Sequence, residues 1–328
     1  MAKPLPLPLG CSNGELALAL VQQHVNRLTA LQGPVLADED PEPLHQMRVA
    51  MRRLRTTLRQ FGPALVLPSR VTDQRIAKSV RRLGMARDLD VLRERLDNDL
   101  LPALPLSEQQ ALKPVFRQLR KERRVACEHL VEVLRGRSHL ELLARLQEWL
   151  RQPEFTPLGH EPLHRWVGEW QLPAVMGLFL HPGWWAEDPG RQAELVHDLR
   201  KRIKDVRYRL DNLRGCGGRH QQRMIALCRS MQELLGELHD LEVLARAIEN
   251  QMPGNLAQDL PALAELIDTR RHQCWLQWHQ EAQGLVGVRG RRRVLEGLRR
   301  EAARHRLVSM CLAIPGRVSV RVASLAPR

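Results

Sequence analysis

The chain has 328 residues, a net charge of +14 and a pI near 10.6, and only 4% of its residues are aromatic. That length buries a large core without disulfides. The charge calls for a polyanionic partner, and the shortage of aromatic rings counts against binding single strands by base stacking. Lys supplies six of the 51 basic residues, so Arg, whose planar fork grips phosphate bidentately, dominates. Cys11, Cys127, Cys216, Cys228, Cys274 and Cys311 form no C-x-x-C pair and suit a reducing compartment. MAKPLPLPLG places prolines where a secretory leader needs an apolar helix, and no apolar run approaches spanning length. A cytoplasmic protein that does not enter a membrane is expected.

Apolar residues recur every three or four positions along nearly the whole chain, which predicts an all-α fold. The expected helices cover 14–31, 41–61, 70–99, 107–136 and 139–150. After a connector at 151–190 rich in Pro, Gly and Trp, they resume at 164–181, 190–214, 219–250, 258–283 and 289–307. Asp38, Asp40 and Pro41 start the second helix, and Gly62-Pro63 stops it. The tryptophans of the connector (Trp166, Trp170, Trp184, Trp185) read as packing material.

The chain repeats itself at an offset of 152 residues. HQMRVAMRRLRTTLRQF from His45 matches HDLRKRIKDVRYRLDNL from His197, and LGMARDLDVL from Leu83 matches LGELHDLEVL from Leu235. One register across two motifs implies duplication, with a first repeat at about 14–150 and a second at about 160–307.

Each copy opens on a His followed by a basic stripe. At about 100° per residue, His45, Arg48, Arg52, Arg55 and Arg59 fall within a sector about 80° wide. The apolar Leu44, Met47, Met51, Leu54, Leu58 and Phe61 occupy the sector beside it. In the second copy His197, Arg200, Lys204 and Arg207 take the leading positions, and Asp211 replaces the last Arg. Like charges with almost no acid at i+3 or i+4 repel one another, and an anion relieves that cost. The first stripe rises about 21 Å, a length suited to a chain of phosphates. The duplicated His residues read as ligands whose charged form phosphate would favour, so binding is expected to strengthen as pH falls through neutrality. Asp88 and Asp240 match by register and are expected to orient an Arg of the stripe. Lys113, Arg117, Arg120 and Arg124 form a third stripe, confined to the first half, that could add to the floor of the site.

The pattern H-x-x-R-x-x-x-R/K-x-x-R followed by L-G-x-x-R/H-D-L-D/E-V-L, present twice, resembles the CHAD family, the conserved-histidine α-helical domains. The resemblance covers about residues 14–307. It implies two four-helix bundles related by a pseudo-twofold axis around a basic central cavity that binds inorganic polyphosphate. It also implies His45, Arg48, Arg52, Arg55, Arg59, His197, Arg200, Lys204 and Arg207 as ligands. The E-x-E-x-K signature of the catalytic domain that often precedes this one is not found, so a stand-alone, non-catalytic binder without cofactor is expected.

Other readings compete. Nucleic acid could use the same Arg residues, and a polyphosphate hydrolase would need a nucleophile, base or metal set that does not converge here. HEPLH, from His160 to His164, has the zinc-protease spacing, but Pro162 opposes the required helical turn. His197-Asp198 and His239-Asp240 suggest a metal phosphohydrolase, yet Gln46 and Arg87 stand at two of these places in the first copy. MCLAIPGRVSV from Met310 resembles the start of hydrogenase-maturation chaperones. Too few residues follow it for such a domain, so 308–328 is expected to be a tail.

Overall fold

The computed structural model describes residues 10–251 and 255–312, with side chains to His305. The chaperone-like stretch from Met310 carries no described side chain.

The first half contains α1 (Asn13–Ala37), α2 (Pro41–Phe61), α3 (Asp73–Arg95), α4 (Leu106–Ala111), α5 (Lys113–Arg135) and α6 (Arg137–Arg151). The second contains α7 (Pro157–His160), α8 (Leu163–Phe179), α9 (Ala193–Asn212), α10 (Arg219–Glu249), α11 (Leu256–Asp259), α12 (Pro261–Val286) and α13 (Val288–Leu312). Strands β1 (Leu65–Val66) and β2 (Glu154–Phe155) pair antiparallel and pin the α2 exit beside the α6 exit. No described helix is long and apolar enough to cross a membrane.

Local chemistry sets the helix ends. Ser12 and Glu15 form a reciprocal capping box at α1. Asp40 accepts from the Glu42 N–H at 2.9 Å, with Pro41 in the first turn of α2. The single helix expected over 107–136 is two, α4 and α5, broken at Leu112. Pro114 disfavours helical backbone in the residue before it and suits the first turn of a new helix. The helix expected over 70–99 closes with a π-turn at Leu96–Leu100. Gly159 is obligatory, because a Cβ there would collide with the Ala64 carbonyl oxygen.

Three cores hold these elements. One joins the apolar faces of α1, α2 and α6 around Met51, Leu54 and Phe61. A second lies in the other half around Ile203, Met231 and Trp278. The third belongs to both halves: Leu92, Leu96, Leu112 and Leu119 pack with Leu241, Leu244, Leu263 and Ile267. The halves are therefore fused by shared apolar burial. They also meet along α2 and α9, where Asn212 Nδ2 donates to Thr57 Oγ1 at 3.2 Å and to Gln60 Oε1 at 2.9 Å. Gln60 and Asn212 are one repeat length apart. Trp184, Trp275 and Trp278 stack inside the second half, and Trp170 tilts against Phe61 at 5.0 Å. These rings serve packing, although Trp185 is exposed.

Candidate anion-binding site

The α2–α9 packing brings both basic stripes to one place. Lys204 is the centre of it. Burial lowers its pKa well below the ordinary lysine value, reinforced by Arg52, Arg200, Arg48 and Arg207. All four of those guanidinium groups come from its own helix (Arg200, Arg207) or the matching one (Arg48, Arg52). Burial likewise lowers Arg52 to about 10, with Arg48 adding repulsion. Among the described residues, neither Arg52 nor Lys204 has a carboxylate within ion-pair distance. Two stripes facing one another create a potential that neither helix would have alone.

The flanking cations are held differently. Arg48 bonds Asp88 at 2.5 Å, and Arg200 lies 4.0 Å from Asp240. These pairs are repeat equivalents, and so are the seats beneath them. A Cβ added at Gly84 would meet Arg48 at 3.5 Å, and one at Gly236 would meet Arg200 at 3.4 Å. Asp88 and Asp240 thus lie where an orienting acid is expected. Asp240 is also 3.8 Å from Arg95, and burial raises its pKa.

The stripes are not free of acid. Arg55 makes two 2.7 Å bonds to Asp73, and Arg59 lies 3.9 Å from the same carboxylate. Arg207 donates to Gln232 at 3.0 Å and lies 3.9 Å from Asp211. Asp211 also serves Arg53 at 3.1 Å and Arg214 at 2.8 Å. The carboxylates of Asp73 and Asp88 arrive from α3, which is why helix spacing within α2 gave no sign of them. The unneutralised charge is concentrated at Arg52 and Lys204 rather than spread along both helices.

His45 and His197 are half-buried beside cations of the cluster. Burial lowers the His45 pKa, aided by Arg87, with Lys204 and Arg48 contributing. Burial also lowers His197 to about 4, aided by His239, whose ring centroid is 4.2 Å away. Both expected ligands are therefore neutral at pH 7 when no anion is bound. His239 and Arg87 occupy the same repeat position and face the two stripe histidines. Their shared place in the L-G motif was the available signal.

The third stripe serves another surface. Lys113, Arg117 and Arg120 line a groove of about 840 Å³ with Leu101, Leu106 and Phe116. Arg124 is exposed one turn further along α5. None of the four is among the charges that shift Arg52, Lys204, His45 or His197. In HEPLH, His160 ends α7, Pro162 precedes α8, and His164 lies in α8, so the two rings do not share a helical face. Among the described residues no group of three His, Cys, Asp or Glu could hold a metal ion.

Fold and site together define an all-α protein whose halves bring matching His-Arg helices to one cationic cluster. The CHAD domain profile matches residues 19–249, and the chain belongs to the CHAD family. The crystal structure of the CHAD domain from the plant Ricinus communis is similar at a TM-score of 0.58 and 24% identity, covering 92% of this chain and 95% of that one. PptA from Streptomyces chartreusis is similar at a TM-score of 0.63 and 18% identity, covering 83% and 99%. At these identities the likeness is one of fold. No curated protein sequence matches the chain.

Proposed function

We propose that this protein binds inorganic polyphosphate at the α2–α9 cluster, as a binder rather than a hydrolase. The observation that carries the reading is Lys204, packed among Arg48, Arg52, Arg200 and Arg207 with its charged form disfavoured. A site that spends folding stability on repulsion is explained by an anion that removes it. Several guanidinium groups along two helices suit successive phosphates better than one phosphate, and family membership supports the same ligand. His45, Arg48, Arg52, His197, Arg200, Lys204 and Arg207 would make the contacts. Arg55 and Arg59 would join by exchanging Asp73 for phosphate. Such binding would direct the protein to polyphosphate granules.

Titration with polyphosphates of graded length tests this. Affinity should rise with length until the cluster is filled, and Arg52→Glu with Lys204→Glu should abolish most of it while helical content is retained. Unchanged affinity in that double variant overturns the site. Nucleic acid is the rival ligand; if it displaces bound polyphosphate at equal phosphate concentration, the ligand assignment fails. Shortening of long chains by the purified protein, with or without Mg²⁺, would overturn the non-catalytic reading.

A further inference from the structure

Arg55 and Arg207 are repeat equivalents held in opposite ways. Asp73 takes two N–H groups of Arg55 at 2.7 Å. Ile225 stands at the place of Asp73 in the second copy, so Arg207 has no matching carboxylate. Its guanidinium lies over the ring of Tyr208 instead, 4.8 Å from the centroid. Tyr208 is buried, is the chain's one tyrosine, and has Thr56 at its repeat position. Arg53 of α2 lies over the same ring, also at 4.8 Å. The two kinds of support leave different groups free. A carboxylate meets a guanidinium at its edge and occupies the N–H groups that a phosphate would use. An aromatic face attracts the cation through its quadrupole, most strongly away from water, and leaves those N–H groups open. The Arg207 side chain is 12% exposed. Its Nε donates to the neutral Gln232 at 3.0 Å, and Asp211 at 3.9 Å is beyond hydrogen-bond reach. Asp211 is engaged by Arg53 and Arg214 at 3.1 and 2.8 Å. Among the described residues, the terminal nitrogens of Arg207 make no hydrogen bond. Arg207 bears on Lys204, whereas Arg53 bears on His24 in α1, so Arg207 is the one that serves the cluster.

We propose that Tyr208 is a positioning residue of the anion site: its ring stabilises Arg207 and leaves both terminal nitrogens of that guanidinium for phosphate. This rests on the polyphosphate reading of the α2–α9 cluster. It makes Arg207 a ligand whose donors are ready, and Arg55 one that must first give up Asp73.

The full chain should be titrated with polyphosphate as Tyr208→Phe and as the same variant with a pentafluorinated ring, which keeps the shape and reverses the quadrupole. Tyr208→Phe should bind within about twofold of the parent, and the fluorinated ring should weaken binding about fivefold. The fluorinated ring should also lower the slope of log affinity against log salt by about one, since one cation no longer meets phosphate. Arg207→Met should cost about tenfold beside the Phe ring and less than about twofold beside the fluorinated one. A ring that served folding alone would change neither the salt slope nor that coupling. Because the chain has one tyrosine, 3-fluorotyrosine gives a single fluorine resonance in the otherwise unaltered protein, and it should move as polyphosphate saturates the site. Equal affinity with the two rings, additive losses with Arg207→Met, or an unmoved fluorine resonance would each overturn the role of Tyr208 and leave the polyphosphate reading in place. Absence of binding by the parent would overturn both.

Discussion

The two copies of the His-Arg helix begin alike and end differently. In α2 the stripe runs on through Arg55 and Arg59 into the carboxylate of Asp73. In α9 it stops at Arg207, and Asp211 stands where Arg59 would be. Each copy therefore neutralises its far end, one by a neighbouring helix and one by its own. What they leave exposed to each other is the middle, Arg52 against Lys204. Duplication kept the positions, while the surroundings decided which charges stayed uncompensated.

That contrast predicts a sharp division of effects. Lys204→Met should raise the unfolding midpoint by removing a buried amine whose charged form the cluster disfavours, and lower polyphosphate affinity about tenfold, or about 1.4 kcal/mol. Arg55→Met should do the reverse, costing stability through the loss of a bidentate pair and changing affinity less. Thermal melts and titrations on both variants check the assignment. A Lys204→Met protein that loses stability would mean its ammonium is satisfied in a way the cluster does not suggest.

A smaller effect separates the two supporting acids. Asp88 is the more exposed partner, its side chain 62% accessible against 27% for Asp240. Asp240→Asn should cost little or no stability, because burial disfavours its carboxylate and its pairs to Arg95 and Arg200 are long, 3.8 and 4.0 Å. Asp88→Asn should cost about 0.2–1 kcal/mol through loss of its 2.5 Å bond to Arg48 and free Arg48 to bind phosphate, raising affinity up to about threefold. Equal stability losses in urea titrations would show that the two pairs are equivalent after all.

How much of this was legible in sequence follows from where each partner lies. The span of α2 could be read to the residue, because Asp40, Pro41 and Gly62 mark its ends and its apolar face is unbroken. The two stripes were legible because a helix fixes the direction of residues three and four apart. The acids on α3 that meet Arg48, Arg55 and Arg59 were not, since sequence spacing says nothing of which side chain a neighbouring helix presents. The break at Leu112 was marked by Pro114 but masked by an apolar period that continues across it. The core shared by α3, α5, α10 and α12 was hidden for a related reason. Periodicity identifies a buried face without naming what covers it.

Protons provide the next way to sharpen the comparison. His45, His197 and Lys204 all have lowered pKa values in the unliganded cluster, chiefly through burial. A polyanion favours their charged forms, so binding should take up protons near pH 7 and tighten as pH falls. Calorimetry in buffers of different ionisation enthalpy measures the uptake. His197→Asn should remove less of it than Lys204→Met if the charge deficit lies in the middle of the cluster. Proton release on binding would contradict the arrangement.

A last predicted effect concerns stability alone and distinguishes the halves away from the ligand. His24 in α1 is 6% exposed, with burial and then Arg53 lowering its pKa to about 4. Its repeat position in the second half is the exposed Met176. The unfolded chain protonates such a histidine near pH 6.5, whereas the native state resists until about pH 4. The unfolded state therefore binds more protons between those limits. His24's contribution is fully present above about pH 6.5 and lost as pH falls through the window, by about 3 kcal/mol at most. His24→Leu should flatten that dependence in urea titrations at pH 7 and pH 5. In the parent protein, amide exchange at pH 5 should accelerate in α1 and α2 before α8 and α9. Earlier opening of α8 and α9 would place the acid-sensitive group in the other half, and the His197–His239 pair would then be responsible.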